Sequence, residues 1–63
     1  MTARIIAYMV ETEGSRKGVP VQIRYGSKRK AEDAAEVFRR TSWAKLYKVT
    51  VDERTGRYAE KMI

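Results

Sequence analysis

Three consecutive cations, Lys28, Arg29 and Lys30, directly follow Ser27 at the start of a segment with the apolar pattern of a helix. Ser27 is a good N-cap residue, but a helix start carries the positive end of the macrodipole and favours acidic side chains by ~0.3–1 kcal/mol each. Free backbone N–H groups at a helix start bind anions, and these side chains would reinforce such a site. We therefore expect this turn to contact a phosphate or carboxylate of a partner.

The basic charge is concentrated in one third of the chain. The net charge is +6, and the window from Gly14 to Ala31 holds six basic residues and no acidic one. Outside that window, eight basic residues balance eight acidic ones. Such asymmetry favours polyanionic partners. We expect one continuous binding patch formed by Arg16, Lys17, Arg24, Lys28, Arg29 and Lys30.

A solvated basic face is the alternative explanation of the same residues. Lysine and arginine are good helix formers, and their exposed charges contribute little to stability. Glu32 and Asp33 lie one turn further along and would neutralise Lys28 and Arg29 locally.

Two aromatic residues are candidates for binding. If Tyr8 faces outward with Arg4, Arg24 and Lys48, the outer sheet face resembles a platform for single-stranded nucleic acid. The alternative is ordinary packing of Tyr8 within the sheet. Trp43 follows the predicted helix, where it either covers a small core or anchors a partner.

The elements that must position these residues are strand, loop, strand, helix, strand and tail. Residues 3–11 are apolar at both odd and even positions, as expected for a central strand. Ile5, Ala7 and Met9 would lie on one face, and Ile6, Tyr8 and Val10 on the other. Residues 19–25 alternate, which turns Val21, Ile23 and Tyr25 inward and leaves Gln22 and Arg24 outward. The two strands form a hairpin whose loop, residues 12–18, is basic.

The second half of the chain supplies the helix and one or two more strands. From Lys28 to about Thr41, apolar residues recur at helical spacing, namely Ala31, Ala34, Ala35 and Phe38, with Val37 at the margin. Residues 45–53 predict a strand with Tyr47, Val49 and Val51 inward and with Lys48 and Thr50 outward. A turn at 53–56 leads into residues 57–63, which form a short final strand or an ordered tail.

The fold class that follows is α+β. One domain, residues 1–63, contains a single antiparallel β-sheet of β-β-α-β order, with a fourth strand expected and one helix packed on one face. A right-handed connection through the helix would place the third strand beside the first. A domain this small has a small core, so a bound partner or a homodimer would add to its stability.

Composition argues against several function classes. The chain has no cysteine and no histidine, which removes the thiol nucleophile, the usual general base and the commonest metal ligands. Asp52 and Glu53 are adjacent, and without further ligands they do not indicate a metal site. We expect no catalysis and no cofactor. No stretch approaches 18 apolar residues, so no membrane contact is expected and the cytoplasm is the expected location.

The order of these elements resembles small phage proteins that disable bacterial machines. The features that carry the resemblance are "VP" near the start of the second strand, the Ser-capped helix with A-x-x-A-A spacing, and the strand after it, from about Ala3 to Asp52. Two groups are similar: type I-F anti-CRISPR proteins of β-β-α-β-β arrangement, and coliphage inhibitors of RNA polymerase. The polymerase inhibitors tend to present acidic surfaces, from which this basic chain departs.

The resemblance implies a non-catalytic protein that binds a bacterial nucleic-acid-handling complex, such as a CRISPR surveillance complex or RNA polymerase, and blocks it sterically. The basic residues would then contact acidic side chains or phosphates, with Tyr8 or Trp43 as anchors. The alternative is a small module that binds DNA or RNA directly through the same cations. No set of residues that would recognise bases is evident. This favours a protein or ribonucleoprotein partner in the bacterial host cytoplasm.

Overall fold

The computed structural model describes residues 3–63 and contains the predicted elements in the predicted order. They are β1 (Ala3–Glu13), β2 (Pro20–Tyr25), α1 (Lys28–Thr41), β3 (Ala44–Asp52) and β4 (Tyr58–Met62). The C-terminal segment is therefore a strand. The predicted α+β class, with one antiparallel sheet and one helix, is confirmed.

The four strands form a single sheet in the order β2-β1-β3-β4, and all neighbours are antiparallel. β1 is therefore a central strand and β3 lies beside it, as predicted. β2 pairs only with the second half of β1, from Tyr8 to Glu13, and β4 pairs with β3 from Tyr47 to Val51. Turns at Gly18 and Gly56 use positive φ angles of 82° and 72°, a conformation that glycine adopts without steric cost.

The core lies between α1 and one face of the sheet. Ala31 and Ala35 are fully buried against Val10 of β1, since a methyl group lets the helix approach the strands closely. Around this contact lie five partly buried residues, Tyr8, Tyr25, Phe38, Ala44 and Leu46. The predicted helical stripe is confirmed, and so is the inward face of β2, because Ile23 and Tyr25 pair with Val10 and Tyr8.

The predicted inward face of β3 is wrong. Leu46 pairs with Val10 and therefore faces the helix, whereas Tyr47 pairs with Met9 and Val49 with Ala7 on the opposite side. We call that side, which α1 does not cover, the open face. Val49 and Met9 are nevertheless 0% and 1% exposed. We attribute this burial to neighbouring side chains on the same face. The sheet therefore has buried apolar residues on the open face as well as on the helix side.

A β-bulge in β1 changes the predicted assignment of its two faces. Ile5 pairs with Thr50 and Ala7 with Val49, so Ile6 is an extra residue with no partner on β3. Partners in antiparallel strands lie on the same face. Ile5 therefore lies on the helix side, with Tyr8 and Val10, and not with Ala7 and Met9 as the strict alternation predicted.

α1 covers only part of its side of the sheet. The helix packs on β1, β3 and β2, and within residues 3–63 it makes no contact with β4. It has 14 residues, and within residues 3–63 no helix is long and apolar enough to cross a membrane. The sheet rows beyond its N-terminus are consequently left uncovered on the helix side.

Candidate anion-binding surface

The first turn of α1 has the predicted cap and an unusual charge pattern. Ser27 has extended backbone angles, and its Oγ accepts a 3.2 Å hydrogen bond from the backbone N–H of Lys30. The turn contains no acidic residue, and the side chains of Lys28, Arg29 and Lys30 are exposed. The N-cap prediction is confirmed, and the cations do lie at the positive end of the helix dipole.

The sheet carries two more cations on the side against which α1 packs. β2 ends at Tyr25, whose row continues through Tyr8 on β1 and Lys48 on β3 to Lys61 on β4. Because only Gly26 and Ser27 separate Tyr25 from α1, the helix begins above this row. Lys48 and Lys61 therefore lie on the helix side of the sheet, next to the part that α1 leaves uncovered. We call the surface formed by these five residues the basic shelf: Lys28, Arg29, Lys30, Lys48 and Lys61.

The five residues of the basic shelf make no ion pair with a described acidic residue. Among the described residues the ion pairs are Arg4 with Glu53 and Arg40 with Glu36, each at 3.5 Å and each exposed. The second is an i, i+4 pair on the surface of α1. Within the same residues, Glu32 and Asp33 make no ion pair with the first turn, so the expected local neutralisation is not seen.

Two groups of shelf residues occupy electrostatically unfavourable positions. The first-turn cations oppose the helix dipole, at ~0.3–1 kcal/mol each. Lys48 and Lys61 are direct cross-strand partners on one face, where like charges destabilise a sheet. Positions that break local rules without a structural gain are typical of functional sites.

A shallow depression of about 460 Å³ adjoins the shelf on the helix side of the sheet. Its floor is formed by Thr50 and Ala59, and its charged lining comprises Arg57, Lys61 and Asp52. The Asp52 carboxylate is engaged within its own turn, where Oδ1 accepts a 2.9 Å hydrogen bond from the N–H of Arg54. Apart from Lys61, which already belongs to the shelf, the depression therefore adds one cation and one carboxylate, Arg57 and Asp52.

The predicted continuous patch is wrong in its extent. α1 runs antiparallel to β2 for 14 residues, about 21 Å at 1.5 Å per residue, so its start and its end lie far apart. Its end is fixed near the hairpin loop, because Ser42 Oγ donates a 2.9 Å hydrogen bond to Glu13 Oε2. Arg16 and Lys17 belong to that loop and are thus about one helix length from the shelf. Arg24 faces the open face, beside Met9.

Tyr8 does not face outward, so its packing within the sheet, the alternative to a nucleic-acid platform, is what the structure shows. Tyr8 is half-buried and packs against the Val10, Ala31 and Ala35 cluster, so it does not offer a ring for stacking on the outer face. Arg4 and Arg24 lie on the open face, whereas Lys48 lies on the helix side with Tyr8. The set of four residues expected to form a nucleic-acid platform is therefore divided between the two sides of the sheet.

Trp43 is neither fully buried nor free of contacts. It is 39% exposed, and the Lys45 ammonium lies 5.6 Å from the centroid of its ring. Its carbonyl oxygen accepts a 2.7 Å hydrogen bond from Thr12 Oγ1, which ties the end of α1 to β1. The backbone of Trp43 therefore has a structural role, while its ring lies beside a cation of the open face.

Sequence reasoning missed Lys48 and Lys61 as members of the basic surface. Their pairing is visible only when β4 is placed beside β3, and Lys61 falls in a segment whose structure the pattern left open. A signal was present for Lys48, which lies between Tyr47 and Val49 in an alternating stretch, whereas Lys61 lies between Glu60 and Met62.

Comparison of the chain with protein-family models, curated proteins and solved structures gives no match. What the protein does must therefore be argued from its own surface.

Proposed function

We propose that this protein is a non-catalytic binding protein that attaches to a bacterial nucleic-acid-handling complex through the basic shelf and blocks it sterically. The observation that carries the proposal is the gathering of five cations, without a described acidic partner, at positions where they are unfavourable for the isolated fold. An anionic surface bound there would remove both unfavourable terms. Long-range attraction would also accelerate the encounter.

The chemistry of the shelf supports carboxylates or phosphates as ligands, and it does not support base recognition. Of the aromatic side chains near the five cations, Tyr8 and Tyr25 pack toward the core, and only the exposed Tyr58 lines the depression beside Lys61. Affinity would therefore come from charge and from the shape of the uncovered sheet. The β-β-α-β-β order is also the one that the resemblance to type I-F anti-CRISPR proteins implies, although a shared fold alone does not carry a function.

The test is affinity capture from a bacterial lysate with two charge-matched variants. K28E/R29E and R16E/K17E each change the net charge by −4, from +6 to +2, but only the first alters the shelf. We expect the wild type and R16E/K17E to recover the same stoichiometric protein complex after nuclease treatment, and K28E/R29E to lose it. Mass spectrometry then identifies the machine whose activity is assayed with and without the protein.

Two outcomes would contradict the proposal in different ways. Recovery that disappears with nuclease would favour the second function, direct binding of DNA or RNA. In that case the logarithm of the binding constant for a duplex should fall with the logarithm of salt concentration, with a slope of about −0.9 per neutralised phosphate. Equal recovery by both variants would show that the shelf is not the contact surface.

A further inference from the structure

The open face of the sheet is a second surface, distinct from the basic shelf. Its apolar centre includes the buried Met9 and Val49 and the half-buried Tyr47 and Val51. On the β4 side, Tyr58 and Met62 pair with Val51 and Tyr47 and are 68% and 60% exposed. Large exposed apolar side chains that adjoin one another in this way mark interaction surfaces.

The charges of the open face sum to zero, unlike those of the rest of the molecule. The register places three cations and three acids there: Arg4, Arg24, Lys45, Glu11, Glu13 and Glu60. The whole excess of +6 therefore lies elsewhere. A neutral face lacks the phosphate-neutralising charge on which affinity for nucleic acid depends.

Two of these six charged residues are already engaged at the ends of the face. Arg4 pairs with Glu53 at 3.5 Å, and Glu13 accepts a hydrogen bond from Ser42. The four that remain, Glu11, Lys45, Arg24 and Glu60, make no ion pair within residues 3–63. Glu11 accepts hydrogen bonds from Gln22 at 3.2 Å and from the Tyr47 hydroxyl at 3.4 Å, and the Lys45 ammonium lies 5.6 Å from the Trp43 ring centroid. The four comprise two acids and two bases, and they flank the apolar centre.

The arrangement of these four charges is complementary to itself. A two-fold axis parallel to the strands and midway between β1 and β3 stacks β1 of one copy on β3 of a second copy. Glu11 and Lys45 are partners in the register, so the axis sets each Glu11 against Lys45 of the second copy. The same axis stacks β2 on β4, which places Arg24 two residues along the strand from Glu60, about 7 Å at ~3.4 Å per residue. Residues thus contact each other reciprocally, as a two-fold interface requires.

The size of the face fits a modest interface. Four strands at ~4.8 Å spacing and about eight residues of β1 span roughly 20 by 25 Å. Two stacked copies would bury about 1,000 Å², close to the lower limit for a specific interface. Face-to-face packing of two sheets at ~10 Å would give each copy the second apolar layer that a two-layer domain of 63 residues lacks.

We propose that the open face binds a second copy of this chain and forms a two-fold dimer in which Glu11 contacts Lys45 of the second copy. The helices then lie on the outside of the dimer, and both basic shelves remain accessible. The assignment is independent of the function proposed above, since it concerns the purified protein alone.

The test is a charge-reversal exchange measured by analytical ultracentrifugation over a concentration series. K45E places two acids in contact in its own homodimer, and E11K places two lysines in contact. We expect each variant to weaken dimerisation at least about tenfold while its circular dichroism spectrum stays that of the wild type. An equimolar mixture should restore the dimer, because each contact in the heterodimer joins Glu to Lys.

The mixture isolates the intermolecular contact, since charge repulsion within either chain is unchanged by mixing. Any of three results would overturn the proposal. The wild type could stay monomeric at millimolar concentration, either variant could dimerise as strongly as the wild type, or the mixture could fail to restore dimerisation. The proposal would also be overturned if the wild type were monomeric and a thymidine oligonucleotide quenched the fluorescence of Trp43. That result would assign the open face to nucleic acid.

Discussion

The hydroxyl of Thr12 donates a 2.7 Å hydrogen bond to the carbonyl oxygen of Trp43, residues that lie 31 positions apart in the chain. Thr12 is only 5% exposed, so this bond joins β1 to the segment between α1 and β3 at the closed end of the core. It fixes where the helix ends and β3 begins.

Replacement of Thr12 by valine should lower the free energy of unfolding by about 1–2 kcal/mol, because the carbonyl of Trp43 loses its partner while the side-chain shape is kept. For a domain of this size, each ~1 kcal/mol corresponds to a fall in Tm of about 4–8 °C. Thr41→Val is the control, since its exposed hydroxyl makes only a 3.5 Å contact with the carbonyl of Phe38. Thermal unfolding followed by circular dichroism measures both, and equal effects would contradict a special role for Thr12.

The cations in the first turn of α1 should lower the stability of the fold while they support binding of a partner. K28E/R29E replaces two cations with anions at the positive end of the dipole, which should raise the free energy of unfolding by about 0.6–2 kcal/mol. The new like-charge i, i+4 contacts with Glu32 and Asp33 subtract about 0.2–0.5 kcal/mol each, so we expect a net rise. R16E/K17E alters net charge equally in a loop and controls for general charge reduction. Urea denaturation of both variants checks this, and a destabilised K28E/R29E would mean that these side chains support the fold.

Gly14 should not tolerate a side chain. A Cβ added there would lie 2.6 Å from the carbonyl oxygen of Val19 and 3.1 Å from a methyl group of Val21. We expect Gly14→Ala to destabilise the protein by about 1–3 kcal/mol, because the clash is with backbone of the hairpin. Gly26→Ala is the matched control, as nothing lies within 4 Å of the added atom and its φ is not positive. Similar unfolding midpoints for the two variants would contradict the close approach.

Tyr47 should titrate later than an ordinary tyrosine. Desolvation raises its pKa, and the carboxylates of Glu11 and Glu60 raise it further, with a 3.4 Å hydrogen bond from the hydroxyl to Glu11. The folded state therefore holds this proton more tightly than the unfolded state. The resulting stability is present below the ordinary tyrosine pKa of ~10 and is lost as the pH rises through the folded pKa. Absorbance titration should show a late tyrosinate that is missing in Tyr47→Phe, and identical curves would contradict this.

The elements of this fold were predictable because their signals are local. The spacing of Ala31, Ala35 and Phe38 defines the helix, Ser27 defines its start, and the alternation of β2 defines its inward face. β3 differs, because it is apolar on one side at Tyr47, Val49 and Val51 and also at Leu46 on the other. Which side meets the helix depends on its register with β1, and that register includes the unpredicted bulge at Ile6.

The candidate site was predictable only at the helix start. Lys28 to Lys30 are visible as anomalies against the dipole, but the partners that complete the shelf come from β3 and β4. Conversely, Arg16 and Arg24 are close to the helix start in sequence but not in space. Arg16 lies about one helix length away, and Arg24 lies on the open face of the sheet. A strand carries the chain away and a helix carries it back, so proximity in sequence over ten residues does not predict a shared surface.

The bulge at Ile6 also determines how β1 can change in length. In a regular strand, gain or loss of one residue transfers every side chain beyond it to the opposite face. Ile6 has no partner on β3, whereas Ile5 and Ala7 both do. A chain without Ile6 would therefore keep all the other pairs and both faces, with a straighter strand. This position is the one in β1 where loss of a single residue leaves the basic shelf and the open face with the side chains they have.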